Sequence, residues 1–378
     1  MNGCGRRGRL SEAPTRSCVQ EAAHAGSAGA AIGASAATDA QGRRPPTVLV
    51  NRARRSTDPS LTTGAARAPL SEGSSKVESI LVLAPHEDRP GRAARLAGQL
   101  ATRTGARVVL LRVLEEKLGG GAPGDTTESQ RQIRQLLVEV ETQQVEELAA
   151  DLRSEGVEVS VEVCWGVPWE AVLERVQRDG HDLVVKPASG LVRRGHVFFG
   201  ATALHLFRKC PCPVWVVGND ARPPERILAA IDPRGAEHRR RIASRILDWA
   251  DTVAEWSHGE VHVGTAWYAG GEDVLRDRIG EAEWKDYVDE ARAGVAEDLD
   301  SALVGRAVSE DRVHLVHGVA HEVLPELARE REFDLIVMGT LGREGPVGDE
   351  LGETAETMIR EVRCSVLTIP SRDRTDES

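Results

Sequence analysis

The sequence predicts two tandem doubly wound α/β domains, each a three-layer α/β/α sandwich around a five-stranded parallel sheet. Two observations carry this. One block of the chain repeats another at a fixed offset, and short apolar runs alternate with longer stretches of helical period. Residues 165–174 read WGVPWEAVLE and residues 317–326 read HGVAHEVLPE. HDLVVKP (181–187) and FDLIVMG (333–339) follow at the same distance, as do RKCPCPVWVV (208–217) and REVRCSVLTI (360–369). A single offset of 152 maps Gly166 to Gly318, Asp182 to Asp334, Gly200 to Gly352 and Cys212 to Cys364. One gapless offset over some fifty residues identifies a duplication.

The elements follow in order. SILVLAP (79–85) and RILAAID (226–232) are short Leu-rich and β-branched runs closed by Pro or Asp, hence first strands. Helical patterns follow at 90–104 and 237–256, then second strands at 107–114 and 260–267. Long polar helices are expected at 127–154 and 272–303, then third strands at 157–165 and 312–318. Each copy reads β-α-β-α-β-α-β-α-β, over residues 77–218 and 226–371. Continuous apolar strands alternating with helices mean a parallel sheet covered on both faces. Ligands of such sheets bind beyond the carboxyl ends of the strands, where the strand order reverses. The apolar last strands Val214–Val217 and Val366–Ile369 would be aggregation-prone edges if left bare, and can pair with each other.

Residues 1–76 contain no Phe, Trp or Tyr and are rich in Ala, Gly, Ser, Thr and Arg. Such a segment buries too little apolar surface to offset the entropy of ordering it, so a disordered extension is expected. A targeting presequence and an upstream stretch outside the true reading frame are the alternatives. The extension carries a net charge of +6 and the remainder −17. An acidic globular part repels nucleic-acid backbones, which excludes DNA or RNA as a partner. No uncharged apolar run is long enough for a membrane span. The six cysteines include no CxxC pair, in keeping with a reducing cytoplasm.

After FDLIVM comes GTLGREGPVGDELGET (339–354), glycine-rich directly behind a strand. The following helix starts near Gly352, where free N–H groups and the positive dipole end favour an anion. A phosphate cradle and a plain surface turn both fit these residues. The spacing Gly339-x2-Gly342-x9-Gly352, the closing CSVLTIP (364–370) and Asp232 together resemble the universal stress protein family. The first copy, with VVKPASG and LFRKCPCPVWVVG, resembles the degenerate first domain of that family's tandem form. The resemblance implies an adenine nucleotide alpha hydrolase-like fold, with the last strands paired as an intramolecular pseudo-dimer and whole chains free to associate further. It also implies ATP with Mg²⁺ as ligand. Asp232 would sit by adenine and ribose, with Gly339, Gly342, Arg343 and Gly352 at the phosphates. The family's hydroxyl position falls on Glu353, whose carboxylate repels phosphate, while Thr354 can supply a hydroxyl one residue later.

In the first copy the corresponding positions are Pro85, Pro187 and Ala201, and Pro187 has no N–H to give, so ATP is not expected there. Its loop carries Lys186, Arg193, Arg194 and His196 before Val197-Phe198-Phe199. These read either as a basic, apolar crevice for an amphipathic anion or as solvated charges over packed rings. Trp165 and Trp169 read as a core plug and a helix cap, or else as one wall of that crevice. His314, His317 and His321 do not converge on a metal, because positions three apart on a strand face opposite sides. There is no GxSxG, HExxH or Walker A motif. Three functions remain: a non-catalytic binder of a nucleotide or other small anion, a carrier of an amphipathic ligand, and a slow ATPase. Limited trypsin digestion should trim the chain to a stable fragment beginning near residue 75, with cleavage at Arg43 and Arg54; protection of those sites would show an ordered extension.

Overall fold

The computed structural model describes residues 76–85, 91–115, 127–193, 196–218, 222–340 and 351–371, with backbone alone over 189–198. The expected disordered extension thus lies, save for Lys76, outside the described residues. The first domain runs β1 (Ser79–Leu83), α1 (Arg92–Thr104), β2 (Arg107–Leu114), α2 (Glu128–Ser154), β3 (Val159–Trp165), α3 (Pro168–Asp179), β4 (Leu183–Pro187), β5 (Ser189–Arg193), β6 (His196–Phe198), α4 (Gly200–Lys209) and β7 (Val214–Val217). The second runs β8 (Arg226–Ala230), α5 (Glu237–Ser257), β9 (Glu260–Trp267), α6 (Glu272–Leu275), α7 (Glu281–Leu303), β10 (Val313–His317), α8 (Ala320–Glu330), β11 (Leu335–Gly339), α9 (Glu353–Glu361) and β12 (Ser365–Ile369).

The ten long strands form one sheet in the order β10-β9-β8-β11-β12-β7-β4-β1-β2-β3. Within each domain every neighbour is parallel, and the order 3-2-1-4-5 is the doubly wound one expected. Across the middle, β7 and β12 pair antiparallel, with Val214 opposite Thr368, Trp215 opposite Leu367 and Val216 opposite Val366. The two apolar edges cover each other. Thr368 Oγ1 donates to the Val214 carbonyl (3.4 Å), and Gly218 N–H donates to Ser365 Oγ (3.0 Å). Trp215, fully buried on this seam, meets Trp256 of α5 edge-to-face at 5.9 Å, so a first-domain strand packs under a second-domain helix. Both apolar cores, one per sheet face, run through the seam without interruption.

Duplication is visible in hydrogen bonding as well as in sequence. Asp182 Oδ2 accepts the N–H groups of Glu78 (2.9 Å) and Ser79 (3.0 Å) at the start of β1. At the offset of 152, Asp334 Oδ2 accepts those of Glu225 (3.1 Å) and Arg226 (3.0 Å) at the start of β8. In each copy this aspartate ties the fourth strand's entry to the first strand.

Two elements differ from expectation. The helix expected over 272–303 is broken between α6 and α7, where Gly280 caps α7 and Glu283 Oε2 accepts the Gly280 N–H. The first domain also inserts the antiparallel β5–β6 hairpin directly after β4. Replacing Asp334 by Ala leaves two strand-entry N–H groups without their acceptor and should cost about 1–3 kcal/mol. Asp182→Ala should cost a similar amount, and urea unfolding midpoints check both.

Candidate functional site

The switch point of the second domain is built from the ends of β8, β9 and β11 and the start of α9. Asp232 stands just beyond β8, where the family resemblance put it. Its Oδ1 accepts from Arg234 twice, from Nε (2.7 Å) and from the backbone N–H (3.2 Å). Arg234 Nη2 also donates to the Ala266 carbonyl on β9 (2.9 Å), so one guanidinium bridges the ends of both strands. Beneath it, Thr265 Oγ1 donates to the Ile231 carbonyl (3.1 Å).

Gly339 ends β11. A Cβ there would come within 3.3 Å of Ile242 Cγ2 on α5, a tight contact that gives helix packing its own reason to favour glycine. The loop is closed at its base by Gly352 N–H donating to the buried Thr340 carbonyl (2.9 Å). Gly342 and Arg343 lie outside the described residues. Gly352 is the extended N-cap of α9 and has no side chain with which to cap it. The first-turn N–H groups therefore receive no capping side chain from Gly352, and the dipole's positive end lies here. Glu353 complements that end. Its carboxylate is 77% exposed and has Oε2 3.6 Å from His321 Nδ1 on α8. Thr354 is half-buried beside it. At the end of β10, His317 Nε2 meets Glu272 Oε2 at 3.0 Å and its ring lies 4.6 Å from that of Trp267. Among the described residues no three metal-ligating side chains converge.

The first domain fills the same place. Arg112, in β2 where β9 has Thr265, is buried; it donates to the Ala84 carbonyl beyond β1 and pairs with Glu141 of α2. Lys186 stands where β11 has Met338. It is 3% exposed and donates to the carbonyls of Pro187 (2.6 Å) and Phe199 (3.3 Å). Lys186 is thus an interior cation rather than part of a basic rim. Phe199 is buried against Phe207, with ring centroids 6.1 Å apart. Arg194 and the side chains of Arg193, His196 and Phe198 lie outside the described residues. Trp165 is half-buried under the Arg134 guanidinium (4.5 Å) instead of closing the core, and Trp169 stacks on His205 of α4 (4.6 Å). Cys212 is buried with its sulfur 3.5 Å from that of Cys210, and burial pushes the Cys364 thiol up to about 12. A thiol so raised stays protonated and unreactive.

At the opposite, amino ends of the strands the copies also differ. In the second domain His262 of β9 and His314 of β10 stack 5.3 Å apart, with Nδ1 of one 3.1 Å from Nε2 of the other and Phe333 edge-on to both. The corresponding first-domain positions, Val109, Glu162 and His181, line a cavity of about 440 Å³. Its charges answer one another: Arg178 pairs with Asp179 (2.6 Å) and Arg175 with Glu162 (2.8 Å). A cavity of about 450 Å³ lies by the seam near Gly218, Arg222, Asp334 and Cys364.

A model of the universal stress protein family matches residues 76–218 and again residues 224–370. The chain belongs to that family. It is of the tandem form, with two such domains in one chain. Universal stress protein E of Escherichia coli K12 is 30% identical over 241 residues, covering 63% of this chain and 76% of that one. A universal stress protein E homolog of Haemophilus influenzae is 25% identical over 304 residues, covering 79% and 98%. Among solved structures, a functionally unknown protein of Pseudomonas aeruginosa PAO1 superposes with a TM-score of 0.60 at 22% identity, covering 78% of this chain and 92% of that one. A universal stress protein of Archaeoglobus fulgidus gives 0.52 at 17% identity, covering 79% and 97%. These likenesses confirm the fold. Among the described residues no helix is long and apolar enough to cross a membrane.

The histidine pair of the second domain gives a pH signature. Burial first, then His314, Arg226 and Arg312, push His262 down to about 4, and burial with Arg331 and Arg226 lowers His314. Both rings are held neutral when folded, whereas the unfolded chain protonates them near ~6.5. Their contribution is therefore full above ~6.5 and is lost as pH falls toward 4. His262→Phe should flatten the fall in urea midpoint between pH 7 and pH 5 relative to wild type.

Proposed function

We propose that this tandem universal stress protein acts in stress response by binding a small anionic ligand of the nucleotide class, without catalysis, at the switch point of its second domain alone. The observation that carries the reading is the contrast between the two crevices. Arg112 and Lys186 occupy the first. The second presents Asp232 with Arg234 and an α9 start whose N–H groups have no side-chain cap from Gly352.

The residues in place fit an adenine nucleotide in part. Asp232 and the amino end of α9 suit the nucleoside and phosphate portions, and Thr354 offers a hydroxyl. Glu353 opposes, because a carboxylate at the helix start competes with phosphate for the same donors. Arg234 favours an anion: once Asp232 turns to a ligand hydroxyl, its guanidinium is released as a counter-charge. Bound ATP would bring its phosphates and Mg²⁺ to this place.

Calorimetric titration of ATP with Mg²⁺, at matched salt, tests the reading. Glu353→Ser removes the repulsion and should tighten binding by roughly 1–3 kcal/mol, about 5- to 150-fold. Asp232→Ala should weaken it. Tight wild-type binding that Glu353→Ser weakens would instead make Glu353 a ligand through the metal. Binding unaffected by Asp232→Ala would move the site elsewhere.

A further inference from the structure

The long helix α2 carries a surface that neither the sheet nor the crevice uses. Its 27 residues begin at a capping box, in which Thr127 Oγ1 accepts the Gln130 N–H (3.3 Å) and Gln130 Oε1 accepts the Thr127 N–H (2.8 Å). Its buried residues, Val145, Ala149 and Leu152, all lie in the carboxyl-terminal half. In the amino-terminal half Ile133, Leu136, Leu137 and Val140 are 56%, 59%, 37% and 44% exposed. Their spacing of i, i+3, i+4 and i+7 makes one continuous apolar stripe. At 100° per residue the stripe points roughly a third of a turn away from the face that packs on the sheet.

The fold does not require this stripe. Helix α7 is the counterpart in the second domain, and its buried Val295 and Leu299 match Val145 and Ala149 at an offset of 150. The same offset places Glu283, Asp286, Tyr287 and Glu290 at the stripe positions. One copy has a charged face there and the other an apolar one. Four large aliphatic side chains exposed side by side mark a contact surface.

The pattern of the face says what covers it. Read outward from the centre between Leu136 and Leu137, it is palindromic in side-chain character though not in identity: Leu136 with Leu137, Ile133 with Val140, Gln130 with Gln143 and Ser129 with Gln144. A palindromic face is self-complementary under a two-fold axis, which runs two identical helices antiparallel. Ile133 then meets Val140 of the other copy, Leu136 meets Leu137, and Ser129 meets Gln144. The flanking Ser and Gln carry no charge, so an identical copy brings no like charge against the stripe.

The geometry points to α2 as a self-association surface, through which two copies of this chain pair by antiparallel packing of their α2 helices. The surface is distinct from the β7–β12 seam, which is satisfied within one chain. A contact centred on four side chains per copy falls below the ~1,200 Å² of stable interfaces, so the dimer is transient and concentration-dependent.

Sedimentation velocity of the full chain over a wide concentration range tests this. The wild type should move from monomer toward dimer as concentration rises. Leu136→Glu should raise the dissociation constant at least about tenfold, with the melting temperature unchanged at concentrations where the wild type is monomeric, because the side chain is exposed in the monomer. The double variant Ser129→Cys, Gln144→Cys should form a covalent dimer on mild oxidation. Peptide mass analysis should locate the bridge between position 129 of one copy and 144 of the other. A chain that is monomeric at every concentration overturns the proposal, as does a bridge joining 129 to 129. So does a fall in the melting temperature of Leu136→Glu at those monomeric concentrations, which would mean that a segment of the same chain covers the stripe.

Discussion

The structure depends on the antiparallel pairing of β7 with β12. Each five-stranded sheet ends on a largely apolar strand, and among the described residues no other element pairs with that edge. Pairing the two edges satisfies both hydrogen-bonding rows at once and joins the cores above and below the sheet. Trp215 shows the coupling most directly: it belongs to the first domain and is buried beside Trp256 of the second. A substitution at the seam therefore bears on the stability of both domains, which ties two units that could fold separately into one cooperative body.

The duplication was legible because it preserves what the backbone needs. Asp182 and Asp334 survive as a pair because each satisfies two strand-entry N–H groups, and Gly166 and Gly318 survive at φ 152° and 130°, conformations that favour glycine. The strands and their order could be read because parallel strands buried on both faces appear as unbroken aliphatic runs. The gap between α6 and α7 was missed because the residues on either side of Gly280 keep a helical, charged composition. The β5–β6 hairpin was missed because SGLVRRGHVF lacks the alternation that marks a half-buried strand.

The site was legible only in part. Asp232 follows β8 and Gly352 opens α9, the places in the fold that the sequence pattern assigned to them. Arg112 and Arg234 sent no sequence signal, because their roles come from the carbonyls they reach across neighbouring strands, and Lys186 read as part of a basic rim because only the fold shows its carbonyl partners inside. Packing against Ile242 favours glycine at Gly339 just as a ligand would. A spacing rule thus located the loop, but it could not separate a glycine kept for helix packing from one kept for phosphate.

The antiparallel seam also fixes a direction. All strands of one domain point opposite to those of the other, so the two crevices open on opposite edges of the ten-stranded sheet. In an assembly of two identical chains, every substitution near one crevice would appear in both. Joining the copies in one polypeptide lifts that constraint. Arg112 could come to stand at one edge where Thr265 stands at the other, and Leu136 on one helix where its twin carries Asp286. A symmetric architecture has become a polar one, with two unlike ends carried on the same sheet.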